Sequence, residues 1–135
     1  RVYDRPVISL DVAATSLAVA GLEQAPELDG TNLIPYLTGE KEGDPHEALY
    51  WRFWRQAAIR KGDWKYLMAG DREYLFDLGE DIGEQNNLIE KYPEKAENLK
   101  NDLKLWAKDL KDPGLPDEEM MAGEKAWFDF YFGEE

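Results

Sequence analysis

The chain has 135 residues, 43% of them hydrophobic and 13% aromatic, enough to bury one core and roughly two-thirds of the unfolded surface, which excludes wholesale disorder. Its 16 basic and 29 acidic residues give a formal charge of -13, so a nucleic-acid duplex or an anionic membrane is repelled as a whole. With no cysteine and one histidine, His46, a disulfide framework, a thiolate metal site, a cysteine nucleophile and a multi-histidine metal motif are excluded, and the compartment stays open.

In chain order, RVYDRPVISLD begins without an initiator methionine, as a fragment would. The most apolar stretch, Val12 to Leu22, is broken by Thr15, Ser16 and Gly21; it falls short of the roughly 20 residues that cross a bilayer and lacks a signal-peptide layout. From Ser9 to Ala20, residues Leu10, Val12, Ala13, Leu17 and Ala20 recur at helical spacing. This predicts a short helix buried on one broad face, with Ser9 or Asp11 as cap and Gly21 as stop. Glu23 to Asn32, with Pro26 and Asp29-Gly30, reads as a loop. Thr31 to Leu37 reads as a helical turn ended by Gly39, and Lys41 to Pro45 as a charged linker.

Between Ala48 and Leu78 the period falls to two and Trp, Tyr, Phe and Ile accumulate, which predicts a sheet. The strands are Ala48 to Arg55, Gln56 to Arg60, Trp64 to Met68 and Tyr74 to Leu78. Turns at Lys61-Gly62-Asp63 and Ala69-Gly70-Asp71 make consecutive strands antiparallel. Asp77 to Leu88 is an acidic loop. After Pro93, the stripe Ala96, Leu99, Leu103, Trp106, Ala107 and Leu110 predicts a long amphipathic helix that covers the sheet. The expected class is α+β, a four-stranded antiparallel sheet packed by a C-terminal helix. Residues 113–135 show no period, and the aromatic cluster Trp127, Phe128, Phe130, Tyr131 and Phe132 should pack on this domain or another.

Few residues suggest chemistry. Asp77, Asp81 and Glu84 in FDLGEDIGEQNNL have oxygen ligands at short spacing, but Gly79 stands where an EF-hand loop needs a donor. A turn held by Asp and Asn side chains is the simpler reading. Trp51, Arg52, Phe53, Trp54 and Arg55 combine aromatic faces with guanidinium groups that can stack on sugars or grip anionic esters. Packing under the helix or against another domain is the competing reading. His46 can donate a proton or hydrogen bond near neutral pH, yet the sequence offers no second histidine and no evident orienting partner. Two other function classes stay open, a carbohydrate-binding module and a structural interaction module.

Taken in order, RPVISLDVAATSLAVAGL, LDGTNLIPYLTGE, AAIRKGDWKYL and YLFDLGEDIGEQNNL resemble the C-terminal part of type I sulfatases, the arylsulfatase-like members of the alkaline-phosphatase superfamily. The likeness runs from about Arg5 to Leu110. It implies that residues 1–44 trail from the large α/β domain, that its last helix is Ser9 to Gly21, and that 45–112 form the C-terminal subdomain; 113–135 lie outside it as an acidic, aromatic tail. The family's nucleophile is a formylglycine made from a CxPxR or SxPxR motif, and it works with calcium. Neither motif occurs in this sequence, so the resemblance implies a non-catalytic piece of a sulfuric ester hydrolase, with no cofactor of its own, forming one wall of the substrate cleft. Its implied partners are the N-terminal catalytic domain of the same protein and a sulfated small molecule or glycan, with neither nucleic acid nor membrane. The implied substrate contacts are His46, Arg52, Trp54 and Arg55, and the implied location of the parent enzyme is periplasmic or secreted.

Overall fold

The switch from helical to two-residue period and back is realised in the computed structural model, which describes residues 2–53, 56–111, 123, 126, 127, 129 and 130. Its elements are α1 (Leu10–Val19), α2 (Ile34–Thr38), β1 (Leu49–Phe53), β2 (Gln56–Lys61), β3 (Trp64–Ala69), β4 (Arg72–Asp77) and α3 (Pro93–Ala107). The class is α+β. Two compact units divide the chain, Arg1–Leu49 and Tyr50–Glu135.

In the second unit the strands form an antiparallel meander in the order β1-β2-β3-β4. Gly62 and Gly70, with φ of 60° and 63°, supply the left-handed conformation that its tight turns require. Register sets Ile59 opposite Tyr66, and Tyr66 opposite Leu75, so these three fully buried side chains cross the sheet on one face. Helix α3 lies on β2 and β3, and Ala96, Leu99 and Leu103 are its buried residues. At its C-terminal end, Trp106 stacks on Tyr50 with ring centroids 5.0 Å apart. The other face carries Ala69, Tyr74, Phe76 and Leu78 with Leu67 against them. A two-residue period alone would leave one face wet. Here Ala57-Ala58-Ile59 and Tyr74-Leu75-Phe76 are buried as unbroken runs, the mark of a sheet covered on both sides.

The first unit corrects one expectation. Leu10, Val12, Ala13 and Ala20 of the predicted buried stripe are exposed, Leu17 is half-buried, and α1 instead buries Asp11 and Ala14. The reason lies in the loop that returns along that side. Gly30 approaches so closely that a Cβ there would meet the Leu10 carbonyl oxygen at 2.2 Å, and the Leu33 amide donates to Thr15 Oγ1 at 3.0 Å. Ser9 makes no capping bond. Asp11 is no cap either, because it turns away from the helix amides toward Ile8, Thr31 and His46. Gly39 ends α2 at φ 85°, as its position suggests.

Most of the 113–135 segment lies outside the described residues. Of its aromatic cluster, Trp127 and Phe130 are described and exposed; Phe128, Tyr131 and Phe132 are not described. Asp129 pairs with Arg72 at 2.6 Å. Among the described residues no helix is long and apolar enough to cross a membrane.

Candidate functional site

Asp11 has no solvent exposure, and an isolated carboxylate in such a place is strongly disfavoured. Three donors compensate it. The Ile8 amide reaches Oδ2 at 2.9 Å, the Thr31 amide reaches Oδ1 at 2.8 Å, and His46 Nε2 lies 2.9 Å from both oxygens. An ionised carboxylate only accepts, so Nε2 carries the proton and Nδ1 is the ring nitrogen left for other work. The centre ties the start of α1, the segment before α2 and the approach to β1 together. His46, lone in the sequence, thus has an orienting partner 35 positions away; a solitary Asp inside an apolar helix was the available signal.

Burial alone would raise the Asp11 carboxyl, but the amides of Ile8 and Thr31, then His46, hold it below the ordinary carboxylate range. A folded value below the unfolded one, about 3.9, contributes stability above that value and loses it as pH falls through the folded value. Amide-exchange protection at Ile8 and Thr31 is therefore expected to drop below about pH 4. Protection at Ile8 and Thr31 that is retained through that range would show that the ionised carboxylate does not hold them.

In the second unit Arg52 donates to the Lys111 carbonyl at 2.5 Å, toward the C-terminal end of α3. Alternation sends Trp51 and Phe53 to the opposite side, and both are exposed, at 41% and 68%. Trp54 and Arg55, the remaining sequence candidates, lie outside the described residues. The acidic loop spends these oxygens on its own amides and on β3. Asp77 Oδ1 accepts from the Gly79 amide, Asp81 Oδ2 from the Asn86 amide and side chain, and Glu84 pairs with Lys65 at 2.7 Å. The backbone amides of Gln85 and Asn86 hold the Asp81 carboxyl below its usual value. Asn87 Oδ1 then accepts the Leu75 amide, and the Leu88 amide donates to the Leu75 carbonyl, which covers the free edge of β4.

Beneath α3, Glu73 pairs with Lys100 at 2.5 Å. Lys100, more than the burial that opposes it, draws the Glu73 carboxyl down, and Glu73 in turn raises Lys100. Burial, then Glu73, keeps the Tyr66 hydroxyl protonated far above the usual phenol range.

Comparison with known proteins now bears on this geometry. No protein-family model matches the chain. Arylsulfatase K of Danio rerio is 28% identical over 109 residues, which cover 70% of this chain and 20% of that protein. Among solved structures, BT1596, a 2-O GAG sulfatase, is 28% identical with a TM-score of 0.56 over 76% of this chain and 27% of its own. BT4656, solved in complex with its substrate D-glucosamine-2-N,6-O-disulfate, is 27% identical with a TM-score of 0.64 over 81% of this chain and 25% of its own. The chain is sulfatase-like, in keeping with a C-terminal sulfatase region. It spans about a fifth of the curated sulfatase and about a quarter of the two solved chains.

The residues present offer no precursor for a formylglycine. The sequence has neither a cysteine nor a Ser-x-Pro-x-Arg, and among the described residues no three acidic or histidine side chains are grouped to hold a metal ion. No catalytic step is assigned to its residues.

Proposed function

We propose that this chain acts as the C-terminal part of a sulfatase that hydrolyses sulfate esters, where it forms one wall of the substrate cleft. The observation that carries the reading is the joint match of sequence and fold to a curated arylsulfatase and to a glycosaminoglycan sulfatase. The nucleophile and calcium are assigned to an N-terminal catalytic domain of the same protein. The outward apolar residues of α1, Val12 and Val19 on one face, exposed at 66% and 73%, support a domain partner, since exposed apolar surface of this kind favours burial. The sulfated saccharide bound by BT4656 supports a sulfated glycan or small molecule as ligand, and such substrates suit a periplasmic or secreted enzyme.

In this reading the substrate contacts are drawn from His46, through Nδ1, in the first unit and, separately, from Arg52, Trp54 and Arg55 in the second. A non-catalytic carbohydrate-binding module is the second reading, favoured by the exposed Trp51 and Phe53.

The purified 135-residue chain is expected to release no sulfate from 4-nitrophenyl sulfate, with or without calcium, for want of a nucleophile. Turnover that persists through rigorous purification would overturn the assignment of chemistry to another domain. The coding sequence on the 5′ side of Arg1 tests the parent enzyme itself. A CxPxR or SxPxR motif there supports the sulfatase; an initiator codon directly before Arg1 sinks it in favour of the binding module.

A further inference from the structure

An open groove lies between the β2–β3 turn and the start of α3. It encloses about 380 Å³ and is lined by Lys61, Trp64, Glu94, Lys95, Asn98 and Asp102, with Leu99 at its base. That volume is at the lower end of small-ligand sites and suits one sugar ring. Trp64 is half-buried. The Tyr92 ring meets it edge-on, with centroids 5.2 Å apart, and fixes the indole plane. Lys95 Nζ lies 4.6 Å from the indole centroid, and Lys91 Nζ 5.1 Å from that of Tyr92. The charged lining is balanced, Lys61 and Lys95 against Glu94 and Asp102, in a chain whose net charge is -13.

We propose that this groove binds a sulfated pyranose, the sugar's C–H face on Trp64 and its sulfate on Lys95. The C–H face of a pyranose is apolar and slightly positive, so it stacks on the negative face of an indole. The Lys95 ammonium, on a flexible four-carbon stem, swings from the ring to the sulfate oxygens and exchanges a cation–π contact for a charge-assisted hydrogen bond. Asn98, exposed and without a partner among the described residues, offers both a donor and an acceptor to hydroxyls. Asp102, held by Lys61 at 3.0 Å, is a positioned acceptor. Core packing accounts for the Trp64–Tyr92 contact but not for open space beside it lined by an amide, two carboxylates and two ammonium groups, of which Lys61 and Asp102 are paired with each other. Stacking with a nucleobase is disfavoured by the charge of the whole chain. The choice of sulfate as the sugar's anionic group rests on the sulfatase reading.

Titration of the ¹⁵N-labelled full chain with N-acetylglucosamine 6-sulfate, N-acetylglucosamine and sodium sulfate tests it. The Trp64 indole N–H, assigned through Trp64→Phe, and the Asn98 amide should shift saturably with the sulfated sugar, at a Kd of about a millimolar as a shallow single-sugar site allows. Lys95→Gln, at an exposed position, should weaken the sulfated sugar by about fivefold and leave the plain sugar within about twofold. No saturable shift at Trp64 up to about 50 mM overturns the site. Equal affinity for both sugars, or a response to sulfate alone matching that to the sugar, overturns the ligand assignment. The readout is a shift and not turnover: binding with an initiator codon before Arg1 keeps the groove and removes the sulfatase, and a catalytic motif upstream with no shift does the reverse.

Discussion

Asp11→Ala is expected to abolish the ordered structure of the first unit while leaving the sheet and α3 protected. The substitution strips the acceptor from the Ile8 amide, the Thr31 amide and His46 at once. A buried donor left unmatched costs about 1 to 3 kcal/mol, so even with water entering to satisfy part of the set, the loss should reach about 3 kcal/mol. A unit spanning only Arg1–Leu49 has little stability to lose, because so short a segment buries a small fraction of its surface. Asp11→Asn separates charge from shape. Its amide group keeps one acceptor but points an NH₂ at a second donor, so it should be nearly as damaging. Hydrogen exchange reads both variants: protection should vanish at Ala14 and Thr31 and persist at Ile59, Tyr66 and Leu103. Retained protection at Thr31 in Asp11→Ala would show that the carboxylate is dispensable.

The contrast between the two units explains how much could be read from the residues. Helix α3 has charged positions, Lys95, Glu97, Lys100 and Lys104, that leave one apolar stripe, and its stripe is the buried one. Helix α1, LDVAATSLAV, is apolar nearly all round, so periodicity could not choose its inner face. The choice is made by backbone amides of Thr31 and Leu33 that donate to Asp11 and Thr15, and backbone groups leave no signature in side-chain composition. The strands were legible to within two residues because Gly62 and Gly70 mark their turns, whereas burial on both faces needed the runs Ala57-Ala58-Ile59 and Tyr74-Leu75-Phe76 to be weighed against alternation. For the candidate site, the aromatic and guanidinium content of β1 was visible. That Arg52 is drawn to the Lys111 carbonyl, and that Trp64, Tyr92 and Lys95 gather across 31 positions, depended on packing that residue spacing does not encode.

The second large effect belongs to that packing. Leu103→Ala should destabilise the second unit by about 2 to 5 kcal/mol, the range for a Leu truncated in a well-packed interior. Leu103 is 4% exposed, and α3 rests on β2 and β3, whose strands are locked by neighbours on either side. Such a surface cannot collapse into the vacated volume, so the loss should exceed the transfer free energy of the deleted methyl groups alone. Ile59 and Tyr66, without exposure, are already in place and leave no side chain free to fill the gap. The neighbouring Lys104 is exposed, and Lys104→Ala should change stability by less than about 0.5 kcal/mol. Urea titration followed by tryptophan fluorescence separates the two, since Trp106 on the same helix stacks on Tyr50 of β1 and reports the docking of α3. A lower midpoint at unchanged slope is the expected signature of Leu103→Ala. Equal midpoints for the two variants would mean that the apolar stripe of α3 does not hold it to the sheet.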